Sequence, residues 1–102
     1  MPTYIALLNW TEQGIRTVRE TVQRTERVSE LAQKHGASLE QLYWTVGPYD
    51  FVCMLEAPDD ESATAFILEA SSGGAIRSTT LRAYDREEMS GIIERLGPAP
   101  GA

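Results

Sequence analysis

Cysteine and histidine are almost missing from this chain: Cys53 and His35 are the only examples of each. A single thiol closes no intramolecular disulfide, and with one imidazole it falls short of any zinc-ligand spacing. Cys53 lies in the apolar run Phe51-Val52-Cys53-Met54-Leu55, where a thiol serves as a small buried hydrophobe; reactive cysteines need polar, electropositive surroundings. No apolar run approaches the ~20 residues that cross a bilayer. Met1-Pro2-Thr3-Tyr4 lacks the basic segment and long apolar stretch of a secretory leader. The expectation is therefore a cytoplasmic protein with no metal, no cofactor and no membrane contact. Basic residues are also scarce. Nine Lys and Arg stand against fifteen Asp and Glu, a net charge of −6, so the chain would repel a phosphate backbone and nucleic acid is not an expected partner.

What is present describes one small domain. A chain of 102 residues, 42% hydrophobic and 24% charged, is close to the globular average and supports one modest core. Tyr4 to Leu8 is short and apolar, as a central strand would be. Thr11 can cap a helix whose apolar residues Ile15, Val18, Val22, Val28, Leu31 and Ala32 recur at helical spacing, with Thr25 filling a gap in the stripe. Gly14 and the β-branched Thr17, Val18, Thr21 and Val22 weaken its start, so a break before about Thr21 is expected. Glu20 with Arg24 and Glu30 with Lys34 read as pairs on a solvated face. Lys34-His35-Gly36 ends the helix, which makes His35 a capping residue and not a ligand.

Leu39 to Val46 and Tyr49 to Ala57 read as strands joined by a tight hairpin at Gly47-Pro48. In the first, Leu42, Trp44 and Val46 share one face, and Gln41, Tyr43 and Thr45 the other. Pro58-Asp59-Asp60-Glu61 opens a second helix that buries Ala63, Phe66, Ile67 and Ala70 and ends at Ser71-Ser72-Gly73-Gly74. Ile76 to Tyr84 is a fourth strand. Asp85 caps a last helix running through Leu96, and residues 97–102 form a loose tail beyond a single domain spanning 1–96. This β-α-β-β-α-β order gives an α+β, ferredoxin-like fold: a four-stranded antiparallel sheet with its main helices on one face and an extra C-terminal helix. The open sheet face would be apolar in a monomer, and pairing with a second copy covers it.

Candidate binding residues gather at the strand ends. Asn9, Tyr43, Thr45, Tyr49, Asp50, Thr80 and Arg82 could orient a small polar or aromatic molecule, although turn chemistry alone accounts for Gly47-Pro48-Tyr49-Asp50.

These four residues, the opening Tyr4-Ile5-Ala6-Leu7-Leu8-Asn9-Trp10-Thr11-Glu12-Gln13-Gly14 and the later Arg77-Ser78-Thr79-Thr80-Leu81-Arg82-Ala83 together resemble the GYD domain family. The resemblance implies a ferredoxin-like fold assembling as a dimeric α/β barrel, and it brings no activity with it. More loosely, Gly47 to Glu56 followed by Asp59-Asp60-Glu61 is similar to the ligand-binding domain of Lrp/AsnC regulators, without their DNA-binding helices. The reading that fits these expectations best is an oligomeric module binding a small polar or aromatic metabolite between sheet and helices; the alternatives are a cofactor-independent, monooxygenase-like enzyme using Asn9, Tyr43, Asp50 or Arg82, and a structural or interaction subunit with no pocket. The placement of Trp10, Trp44, Tyr43 and Tyr49 separates them, since aromatics around a cavity favour the first two.

Overall fold

A computed structural model describes residues 1–101. Strand β1 (Thr3–Trp10) is followed by helix α1 (Glu12–Arg16), a 3-10 turn over Val18–Glu20, and helix α2 (Thr21–Lys34). Strands β2 (Ser38–Trp44) and β3 (Phe51–Glu56), helix α3 (Asp60–Ser72), strand β4 (Ile76–Ala83) and helix α4 (Arg86–Glu94) complete the chain. The sheet order is β2-β3-β1-β4, with every neighbouring pair antiparallel. β1 and β2 therefore run parallel with β3 inserted between them, which is the split β-α-β arrangement the sequence predicts. Among the described residues no helix is long and apolar enough to cross a membrane.

Alternation along β1 and its partners divides the sheet. Tyr4, Ala6 and Leu8 of β1 and Cys53 and Leu55 of β3 are buried against Ala32 of α2 and Ala63 and Phe66 of α3, which belong to the same core. Opposed residues in antiparallel strands share a face, so Phe51, Trp10, Ile76, Ser78, Thr80 and Arg82 also lie on this helix-covered side. A bulge between Leu39 and Gln41 shifts the register of β2, which brings Leu39 opposite Leu55 and Leu42 opposite Cys53 on the same side.

Local chemistry sets the helix boundaries. The Thr11 hydroxyl accepts from the Gly14 N–H at 3.1 Å, and the expected break is the 3-10 turn ahead of Thr21. That turn resets the helical phase, so Ile15 and Val22, expected in the buried stripe, are 52% and 65% exposed. α2 ends with His35 at the cap and Gly36 at φ +72°. Lys34 pairs with Glu69 of α3 at 2.9 Å and not with Glu30, and His35 Nε2 meets the other Glu69 oxygen at 2.7 Å. Lys34 first, and then His35, hold the Glu69 carboxyl below the usual range. Asp85 caps α4 in a capping box with Glu88.

The hairpin differs from the expected two-residue turn. β2 stops at Trp44 and β3 starts at Phe51, so the connection runs from Thr45 to Asp50, closed by Thr45 N–H donating to Asp50 O at 2.9 Å. Pro48 fixes its own φ near −65° and so excludes a type I′ turn, which needs positive φ at both central residues. Val46, expected to share a face with Leu42 and Trp44, is instead fully exposed in this loop.

Helix α4 buries no residue, and Met89, Ile93 and Leu96 are exposed. The radius of gyration, 16.3 Å, exceeds the ~13 Å of a compact 100-residue domain, in keeping with a last helix that puts none of its residues in the core. Residues 97–101 are exposed and outside any helix or strand; Ala102, the last of the expected tail, lies outside the described residues.

Candidate functional site

Two features of the sheet are candidates for function: a cavity under the helices and the uncovered opposite face. The cavity, about 120 Å³, lies between the sheet and α2 and α3. Leu8, Trp10, Phe51, Cys53 and Ile76 supply its sheet wall, together with Leu42 and Trp44 of β2. Phe66, Ile67 and Ala70 of α3 close one side, and Thr21, Arg24, Thr25 and Val28 of α2 the other. The Trp10 and Phe51 rings sit 5.7 Å apart in a tilted arrangement, a favourable aromatic geometry. Trp44 Nε1 donates to Thr21 Oγ1 at 3.1 Å and so ties β2 to the start of α2. Arg24 Nη2 donates to Thr17 Oγ1 at 2.5 Å and to Glu20 Oε2 at 3.0 Å. Burial pushes the Cys53 thiol up to about 11, so it stays protonated and offers no nucleophile at neutral pH.

Among the described residues no helix covers the other sheet face. Its centre is Ile5 and Leu7 of β1, Val52 and Met54 of β3 and Leu81 of β4, with Tyr43 beside Val52. Leu81 and Tyr43 are 46% and 60% exposed. Gln41, Asn9, Arg77 and Glu56 make a polar rim. An apolar centre inside a polar rim is the anatomy of a protein–protein interface.

The seven residues expected to form a site fall in three places. Asn9 and Tyr43 lie on the open face, while Thr80 and Arg82 lie on the helix side, where they border a groove with Tyr4, Asp60 and Thr64. Thr45, Tyr49 and Asp50 belong to the β2–β3 connection, and none of the seven lines the cavity. Arg82 holds structure together: Nη1 donates to the carbonyls of Thr3 and Ala83, Nη2 pairs with Glu88 at 3.2 Å, and the guanidinium stands 4.6 Å from the centre of the Tyr84 ring. Nearby, the Tyr4 hydroxyl donates to Asp60 at 2.5 Å. Burial first, and then Asp60, push that phenol up to about 12.

The Asp50 carbonyl closes its own turn, but its side chain and N–H act across the sheet. Its Oδ2 accepts from the Trp10 N–H at 2.9 Å, and its own N–H donates to Leu8 O at 2.9 Å. Asp50 thus clamps the β2–β3 connection to the end of β1, beside the cavity wall. A hydrogen bond to a charged acceptor contributes about 1.5–3 kcal/mol. Asp50→Ala is expected to lose about that much stability in urea unfolding and Asp50→Asn, which keeps an acceptor, less; equal stability of Asp50→Ala and wild type would contradict the clamp.

Sequence reasoning finds part of the cavity. Of the four aromatics singled out as diagnostic, Trp10 and Trp44 line it, whereas Tyr43 and Tyr49 do not. Arg24, expected on a solvated face, also reaches the wall. The signal for it is Thr25, a polar residue at a core position of the stripe, which marks where α2 leaves the packed core.

Comparison with known proteins agrees with this architecture. A protein of Thermus thermophilus, named glutamine synthetase and cystathionine beta-lyase binding protein, is 34% identical over 97 residues, which cover 94% of this chain and 99% of the relative. The crystal structure of MtbAldR (Rv2779c) superposes with a TM-score of 0.65 at 16% identity over 83% of this chain, which spans only 54% of MtbAldR. That of TTHA0845 from Thermus thermophilus gives 0.51 at 24% identity over 84% of this chain and 100% of the other. At these identities the two structures speak for the fold alone. The model of the GYD domain matches residues 4–93, nearly all of the sheet and helices described above, and on that extent of agreement the chain belongs to the GYD domain family.

Proposed function

We propose that this chain is an interaction protein: two copies pair through their open sheet faces, and the pair binds enzymes of amino-acid metabolism. The observation that carries the reading is the near full-length, 34% identical relative named for binding glutamine synthetase and cystathionine beta-lyase. The apolar, polar-rimmed face of Ile5, Leu7, Val52, Met54 and Leu81 supports self-pairing. Exposed Met89 and Ile93 of α4, with Leu96 in the turn just beyond it, add a second apolar surface suited to a neighbouring chain. A net charge of −6 favours partner surfaces that are basic and makes the association salt-sensitive. The test is surface plasmon resonance with glutamine synthetase and cystathionine β-lyase purified from the same organism as this chain. Saturable binding to at least one of them, weakening as salt rises, is expected; no binding to either at low salt would overturn the reading.

A second reading, a module that binds a small molecule, is favoured by one observation: the aromatic-walled cavity between sheet and α2. The two readings use different parts of the molecule and are compatible.

A further inference from the structure

The size, lining and single charge of the cavity together specify a class of ligand. Its volume of about 120 Å³ is slightly below the ~150 Å³ of an engineered apolar cavity that takes up benzene. The sheet and α3 walls are apolar, with the Trp10 and Phe51 rings, Leu8, Cys53 and Phe66 among them. A void with such walls loses dispersion contacts on one side, and an apolar guest restores them. The α2 wall differs. Thr21, Arg24 and Thr25 line it, and among the described residues Arg24 is the one charged group on the lining. Among those residues only its Nη2 hydrogen-bonds within the protein, which leaves Nε and Nη1 as donors. Arg24 also stands near the start of α2, where the helix dipole is positive. Its partner Glu20 has a side chain 61% exposed, so solvent screens the compensation of charge.

We propose that this cavity binds a small monocarboxylate whose apolar body is no larger than a phenyl ring, with the body against Trp10 and Phe51 and the carboxylate on Arg24. The inference deepens the small-molecule reading and is independent of enzyme binding. Guanidinium and carboxylate match in planar geometry, so the charged end gives specificity while the aromatic walls give affinity. A neutral molecule of the same shape fills the same volume but leaves the Arg24 donors to water.

The chain has two tryptophans, and both line the cavity, so their indole N–H signals report on it in a nitrogen-15 NMR titration. Benzoate is the probe and benzyl alcohol its neutral counterpart. Saturable shifts of the indole signals are expected with benzoate, with affinity about tenfold above that for benzyl alcohol. Arg24→Gln should bring benzoate down to the level of the alcohol. Ala70→Leu, which fills the cavity from α3, should abolish both responses; if that variant fails to fold, Cys53→Met fills it from the sheet. Equal binding of the two probes, or benzoate affinity unchanged in Arg24→Gln, would overturn the carboxylate assignment and leave a ligand cavity. No saturable response to either probe would overturn both. A response that persists in a folded, filled variant would place binding elsewhere and overturn the site.

Discussion

Gly14→Ala is expected to lower the melting temperature by about 10 °C or more. Two effects oppose each other at this position, and their sizes decide the sign. Gly14 lies inside α1, where helix propensity alone favours alanine by about 1 kcal/mol. Its φ is not positive, so the backbone does not require glycine. Space does: a Cβ at Gly14 would lie 2.0 Å from the carbonyl oxygen of Ala75 and 3.2 Å from the Trp10 Cβ. The obstacle is backbone, held in place because Ala75 O accepts from the Thr11 N–H at 3.0 Å, and so no rotamer change relieves it. Overpacking of this kind costs about 1–3 kcal/mol and occasionally more, and separating α1 from the β4 approach would break the Thr11 hydrogen bond as well. A net loss of about 2 kcal/mol corresponds to roughly 8–16 °C in a domain of this size. Gly91 of α4 is the control, because a Cβ there meets nothing within 4 Å. Gly91→Ala should be neutral or stabilising by up to about 1 kcal/mol. Thermal unfolding of both variants followed by circular dichroism checks the pair, and a Gly14→Ala protein as stable as wild type would show that α1 is not seated on Ala75 as described.

Leu81→Glu is expected to weaken self-association by about a hundredfold or more. Leu81 lies opposite Ile5 on the open face and is 46% exposed in the single chain, so the substitution costs the isolated fold little. In a sheet-to-sheet pair it carries two carboxylates, one from each copy, into an apolar interface with no counter-charge at its centre. Each buried, unpaired charge costs several kcal/mol, and ~2.7 kcal/mol already corresponds to a hundredfold. Leu68→Glu changes an equally apolar residue on α3, 65% exposed and on the opposite side of the sheet, and should leave association unchanged. Size-exclusion chromatography with light scattering over a dilution series distinguishes these outcomes. Equal weakening by both substitutions would point to general charge repulsion in place of a specific face.

Element order, helix caps and the break before Thr21 are legible in the sequence because each rests on near neighbours: Thr11 with Gly14, Asp85 with Glu88, and a run of β-branched residues. The open apolar face is legible from Phe51 to Leu55, since five apolar residues in a row must point to both sides of a sheet. The candidate site is less so. Grouping Asn9 and Tyr43 with Thr80 and Arg82 requires the relative register of β1, β2 and β4, which depends on pairings across the sheet; that register separates them onto opposite faces. Lys34 pairs with Glu69 across two helices in place of Glu30 four residues away, a tertiary choice no helical spacing encodes. Gly14 reads as a weak point in a helix, and its contact with Ala75 exists only once β4 is in place. Arg24 reads as solvated because it pairs with Glu20, as it does, while the same side chain also borders the cavity.

Pairing through the uncovered sheet face is the central claim, and sedimentation equilibrium of the wild-type chain across the micromolar range tests it most directly. Face-to-face pairing predicts a species of twice the 11.3 kDa chain mass, or an even multiple of it, that dissociates on dilution and is lost in Leu81→Glu. A monomer of 11.3 kDa at every concentration would contradict it.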